Sequence, residues 1–200
     1  FFTLGNIFNI LQTASIVGVM SLGVMISLSC GELNFAAGST ATIAATIVGK
    51  LAGDKIDGMV IPIIIALLAC LLISFVSAVA AFRVGIPSFI ATLGVSRIID
   101  GLCKLFSGNK TIFSKTWPDT FTYLGQGRIG VVPVSIVMFI VILLIVWLLM
   151  EKTSTGKYIE AIGTNSISCQ QVGINVTRMK FIAFAISSIL CGFSGIMFVS

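Results

Sequence analysis

The sequence contains no histidine, and only 10% of its 200 residues are charged, 12 basic against 7 acidic. Without histidine there is no Ser-His-Asp triad, no HExxH zinc site and no imidazole proton relay. Charge this sparse excludes an ordinary soluble domain, in which about 25% of residues are charged. The basic residues are scattered over short connectors and do not cluster among aromatics, so nucleic acid is a poor candidate partner and none is expected. Cysteine is sparse too: Cys30, Cys70, Cys103, Cys169 and Cys191 are odd in number and show no CxxC spacing. Four of the five lie in or beside apolar runs, where cysteine packs as a small hydrophobe. No metal-ligating or cofactor-binding set emerges. A GxxxxGK[ST] phosphate loop is missing as well, since Gly156-Lys157 lacks the upstream glycine. The chain is therefore not expected to be an enzyme.

What the sequence has in abundance is apolar length. Hydrophobic residues make up 57% of it, and the mean hydropathy is +1.13. It opens at Phe1 and stops at Ser200 inside an apolar run, as expected of an internal piece of a longer protein. Crossing a bilayer takes about 20 mostly apolar residues in a helix. Residues 7–31 carry no charge and suffice for one span. After Glu32, residues 33–49 are again uncharged but short and rich in small residues, which suits close packing inside a bundle. A polar turn over 50–58 precedes a clear span at 59–82. The connector Arg83 to Pro87 leads into a weaker segment, 88–106, broken by Arg97, Asp100 and Lys104. A polar stretch at 107–130 separates it from the cleanest span, 131–150, with Trp147 as an interfacial anchor. Residues 151–180 form a long polar loop, and a last span begins near Phe181.

These spans alternate sides, yet charge does not orient them. Arg83, Lys152, Lys157, Arg178 and Lys180 fall on one side, and Lys50, Lys55, Lys110, Lys115 and Arg128 on the other. Five against five leaves the positive-inside rule tied.

Three constellations carry functional interest. The first is Gly31-Glu32-Leu33-Asn34-Phe35-Ala36-Ala37-Gly38-Ser39, set between apolar segments with no hydrophilic loop. A carboxylate and an amide there must face protein or a water-filled cavity, and the glycines permit a break in the helix. A plain interfacial turn with Glu32 among the headgroups fits the residues equally well. The second is Arg97, Asp100 and Lys104, one helical face with an anion between two cations. It reads as the lining of a polar path or, as the nearness of the 107–130 loop favours, as side chains snorkelling to an interface. The third is the 151–180 loop, amphipathic and punctuated by glycine. It suits docking on a soluble partner, or a helix lying on the membrane surface.

At these residues the chain resembles the permease subunits of ribose-type, or simple-sugar, ABC importers. Gly31, Leu33, Gly38 and Ser39 match the family's G-x-I-D-L-S-x-G-S pattern. Residues 85–94 (GIPSFIATLG) are similar to its P-x-F-I-A-T-L-G segment. Thr155-Gly156-Lys157-Tyr158 with Ala161-Ile162-Gly163-Thr164-Asn165, and then Gly173-Ile174-Asn175-Val176, resemble its cytoplasmic loop. The four stations occur in the family's order and span essentially the whole chain.

The resemblance implies an all-α polytopic transmembrane bundle, with about six of about ten spans present and a discontinuous helix near residues 31–39. Residues 1–200 would form one permease domain, truncated at both ends, with 151–180 as a cytoplasmic coupling loop. It places that loop inside the cell, in a bacterial cytoplasmic (inner) membrane, and so breaks the charge tie. It implies ATP-binding subunits at the loop, a second permease subunit as homo- or heterodimer, and an extracytoplasmic solute-binding protein. Glu32, Asn34, Phe35 and Ser39 become the expected substrate pathway. Gly156, Ala161, Gly163, Asn165, Gly173 and Ile174 become the expected ATPase-coupling surface. The pattern departs at Asn34, where the family usually has Asp, and at Phe35-Ala36-Ala37 in place of a Leu-Ser-x run. Those departures leave a nucleoside open beside a sugar as solute. An ion-coupled secondary transporter, with Glu32 and Asp100 binding the coupling ion, and a membrane scaffold without a path are the rival classes.

Overall fold

A computed structural model describes residues 4–54, 59–109, 125, 127–129 and 132–200. Eight helices make up nearly all of it: α1 (Leu4–Ser29), α2 (Ala37–Asp54), α3 (Val60–Phe82), α4 (Ser88–Ser107), α5 (Val134–Lys152), α6 (Ser154–Thr164), α7 (Ser166–Gln171) and α8 (Val176–Val199). A two-residue antiparallel pairing of β1 (Arg128–Ile129) with β2 (Val132–Pro133) precedes α5. The chain is thus an all-α polytopic bundle. Most of the 107–130 connector, and residues 55–58 of the polar turn, lie outside the described residues.

Local chemistry sets the helix ends. α1 closes on Gly31, whose φ of 78° no branched residue adopts readily; its N–H reaches the carbonyl of Leu28 and that of Glu32 reaches Ser27. α4 follows Pro87 and stops at Gly108, φ 61°. Side-chain oxygens of Thr153, Asn165 and Asn175 accept from the first backbone N–H groups of α6, α7 and α8. The Asn175 cap starts α8 five residues before Phe181, where the loss of charge alone begins that span. Likewise α2 runs on through Asp54, so Lys50 belongs to a helix; its ammonium donates to the carbonyl of Phe106 at 2.7 Å.

Among the described residues α1, α3, α5 and α8 are long and apolar enough to cross a membrane. The apolar faces of α3 and α5 are largely exposed, as lipid or further spans would require. α8 is the hub, packed on α1, α2 and α3. It buries Ala183, Phe184, Ser187, Ser188, Cys191, Gly192, Ser194, Gly195, Ile196 and Met197. Small residues allow this closeness: a Cβ on Gly192 would lie 2.6 Å from the Cys70 sulfur. Ser188 and Ser194 donate to backbone carbonyls of Cys70 and Ile16, so these helices join by hydrogen bonds as well as by packing. All five cysteines are buried and unpaired. α2, poorer in apolar residues, lies against this hub and turns Thr40, Ile43, Ala44 and Val48 inward, whereas α4 packs on α2 and α3.

Candidate functional site

The stretch between α1 and α2 decides the geometry. It is not helical, and it threads into the bundle instead of turning at its rim. Glu32 forms an ion pair with Lys180, both side chains largely shielded. Two residues on, the Asn34 amide donates to the Ser187 hydroxyl at 3.3 Å. Between those two partners α8 advances seven residues, about 10 Å at 1.5 Å each. The connector therefore climbs from the end bearing α6 and α7 towards the middle of α8.

The polar side chains on this climb have partners. The Asn34 oxygen accepts from the N–H of Ala36 at 3.1 Å, a local turn that aims the chain into α2. The N–H of Phe35 donates to the Thr92 hydroxyl at 3.1 Å, and that hydroxyl donates to the carbonyl of Ser88 at 2.8 Å. Thr92 is fully buried and clamps the connector to α4. The Ser39 hydroxyl donates to Asp100 Oδ1 at 2.8 Å. Asp100 also faces Arg97 at 3.7 Å, one turn away, though the arginine itself is mostly exposed. Phe35 presents its ring outward.

Beyond Ser39 a cleft of about 690 Å³ opens between α1, α2, α4 and α8. Its walls are mainly apolar, with Thr42, Thr46, Asp100, Lys104 and Ser107 supplying polar groups. Asp100, half-buried, and Lys104, exposed in the last turn of α4, both line it. Of the four sequence-nominated residues, Glu32 lies at the α6–α7 end, Asn34 reaches the middle of α8, Phe35 faces outward, and Ser39 bonds Asp100, which lines the cleft. Thr92, Thr42 and Thr46 escaped notice because a threonine in an apolar run has no signature separating a clamp or a lining from ordinary helix packing. Asp100 was visible, but nothing in the sequence pairs it with Ser39, 61 positions away.

The α6–α7 end carries the other nominated set. Gly156 and Gly163 are close-approach glycines: a Cβ on either would collide with a backbone carbonyl, that of Met150 or of Ser29. Asn165 caps α7 through Ile167 and Ser168 N–H, both at 3.1 Å. Gly173 takes a φ of 86° in the turn before α8. These four shape the segment. Ala161 is exposed, Ile174 is half-buried, and Tyr158, Ile167 and Val172 form further exposed apolar surface around them.

A bundle of apolar helices around a broken, polar-lined connector, with an amphipathic helical pair at one end, is the architecture of a membrane transport subunit. The chain belongs to the family described as branched-chain amino acid transport system / permease component, which matches residues 6–200, and it is an integral membrane protein. It is 27% identical over 203 residues to the ribose import permease protein RbsC of Escherichia coli (strain K12), covering 100% of this chain and 63% of that protein. To the RbsC of Haemophilus influenzae it is 28% identical over 204 residues, covering 100% and 62%. To the fructose import permease protein FrcC of Rhizobium meliloti it is 24% identical over 201 residues, covering 98% and 56%. The chain thus spans about three-fifths of the length of these relatives. No solved structure matches it.

Proposed function

We propose that this chain is the membrane-embedded permease subunit of an ABC importer in a bacterial cytoplasmic membrane, moving a sugar or a similar small polar solute inward by alternating access. The observation that carries the reading is the line of polar groups from the cleft through Ser39, Asn34 and Glu32 to the α6–α7 end. It joins a solute-sized space to a docking segment. The family description names amino acids, whereas the relatives are named for ribose and fructose. The hydroxyl and amide groups along the line suit a polyhydroxylated solute, and a nucleoside shares that chemistry. Contacts with solute are few, as release requires.

In this reading the permease performs no chemistry, and ATP is hydrolysed in separate subunits seated on α6 and α7. Tyr158, Ala161, Ile167, Val172 and Ile174 offer them apolar surface. Gly156, Gly163, Asn165 and Gly173 hold that surface in shape. A second permease subunit completes the path, and a solute-binding protein loads it from the opposite face.

The test uses the full-length protein in proteoliposomes with its ATPase and binding protein. Radiolabelled ribose is the probe, with fructose and uridine as competitors. ATP-dependent uptake that disappears when the ATPase is omitted is the expected result. Uptake by the chain alone, driven by an ion gradient, would overturn it in favour of a secondary transporter. For the site itself, Asn34→Ala should alter how ATPase activity depends on solute, and an unchanged profile would count against Asn34.

A further inference from the structure

Glu32 sits on the polar line, yet its geometry sets it apart from Asn34 and Ser39. Its carboxylate is committed to the Lys180 ammonium, and both side chains are largely withdrawn from solvent. Lys180 in turn lies over the ring of Phe82, 5.6 Å from its centroid. Phe82 stacks edge-on against Phe184 and Phe181, at 5.1 and 5.8 Å. Lys180 thus rests on one ring of an aromatic cluster drawn from α3 and α8, and the partial shielding of both charged side chains strengthens their attraction.

The second half of the arrangement is backbone. Gly31, the residue before Glu32, lies in van der Waals contact with Gly163 of α6, and Gly163 in turn is pressed so closely on the Ser29 carbonyl that no Cβ would fit there. One short segment, residues 29–32, thus touches α6 by backbone contact and α8 by an ion pair. Lys180 lies one turn into α8, and α8 is reached from α7 through the Gly173 turn. Any displacement of α6 and α7 is passed to the connector at two points, and two points prevent it from simply rotating away.

We propose that the Glu32–Lys180 pair is a mechanical latch: it couples movement of α6 and α7 to the 31–36 connector, and Glu32 is a positioning residue that does not contact solute. This rests on the transport reading above and names how its two ends communicate. With the latch closed the connector is held in its climb along α8, and Asn34 meets Ser187. Pulling α6 away from Gly31 loads the pair, and its release frees the connector to shift. Neither half suffices alone. The glycine contact resists compression only, whereas an ion pair resists separation.

The experiment compares Glu32→Gln, Glu32→Asp and the exchange Glu32→Lys with Lys180→Glu in the full-length transporter, reconstituted with its ATPase and binding protein. The probe is whichever of ribose, fructose and uridine the wild type imports. Membrane insertion and ATPase co-purification are measured for each variant. Glu32→Gln is expected to abolish the stimulation of ATPase activity by loaded binding protein and to lower uptake roughly tenfold. The exchange restores stimulation and uptake to at least about half of wild type, a recovery that a solute-contacting carboxylate would not show. Full stimulation in Glu32→Gln, or an exchange no better than the single change, overturns the latch. Should Glu32→Gln fail to insert, Glu32→Asp decides: it keeps the charge but shortens the reach, and undiminished stimulation there overturns the proposal. A wild type with no stimulation or uptake overturns the transport reading together with the latch, whereas coupled uptake indifferent to all three variants sinks the latch alone.

Discussion

Thr92 shows how much rests on one hydroxyl. It accepts from the N–H of Phe35, a donor in non-helical backbone with no helix partner to fall back on. Thr92→Val keeps the shape and removes the acceptor. Leaving that part-buried N–H unpaired costs up to about 1–3 kcal/mol. The expected outcome is a lower thermal midpoint of the detergent-solubilised protein, with Thr92→Ser retaining most of the wild-type value; an unchanged Val variant would show that the connector does not depend on this clamp. Asn34 was legible in the sequence because an amide between apolar runs is conspicuous. Thr92 was not, because its side chain also satisfies its own helix, and the partner lies 57 positions back. The same limit hid the Lys180 partner of Glu32, 148 positions away. Sequence shows which groups need partners far more readily than which partners they find.

At the scale of elements, α6 separates two roles that sequence had merged. Its nominated residues include Gly163, pressed on the backbone of Ser29, and Ala161, open to solvent. Gly163→Ala should therefore act on packing. The added methyl collides with a carbonyl, and relief by backbone shift costs about 1–3 kcal/mol, read as a fall in thermal stability. Ala161→Arg should leave stability nearly unchanged and weaken retention of the ATPase subunit through purification. Equal loss of stability in the two variants would refute this division of labour. Gly163→Arg would confound the two effects, since any side chain there first disturbs the seat of α6. The helical, glycine-punctuated nature of 151–180 was readable from its pattern. Which glycines face backbone was not, because a glycine looks the same in sequence whether it serves a turn, as Gly173 does, or a close approach.

For the whole molecule, the spans and the break were legible because lipid enforces a simple rule: backbone must be helical and apolar, and departures must be buried or wet. The cleft was not legible, because four helices distant in sequence line it and its walls are mostly apolar. Its place is what gives it weight. Asp100, which accepts from Ser39, is among its lining residues, so a solute moving from the cleft to the connector would pass there. If that is the route, obstructing it should stop transport without unfolding the bundle. Thr46 suits the test, since it lines the cleft from α2 and its hydroxyl donates within its own helix, at the carbonyl of Thr42. Thr46→Trp should insert and retain its ATPase, yet lose roughly tenfold or more of its uptake, because an indole occupies space that a small solute needs. Thr46→Ala, which widens the cleft, should transport nearly as the wild type does. Normal uptake by a correctly inserted Thr46→Trp would mean that solute passes elsewhere. The Ser39–Asp100 bond would then serve only to fix α2 against α4.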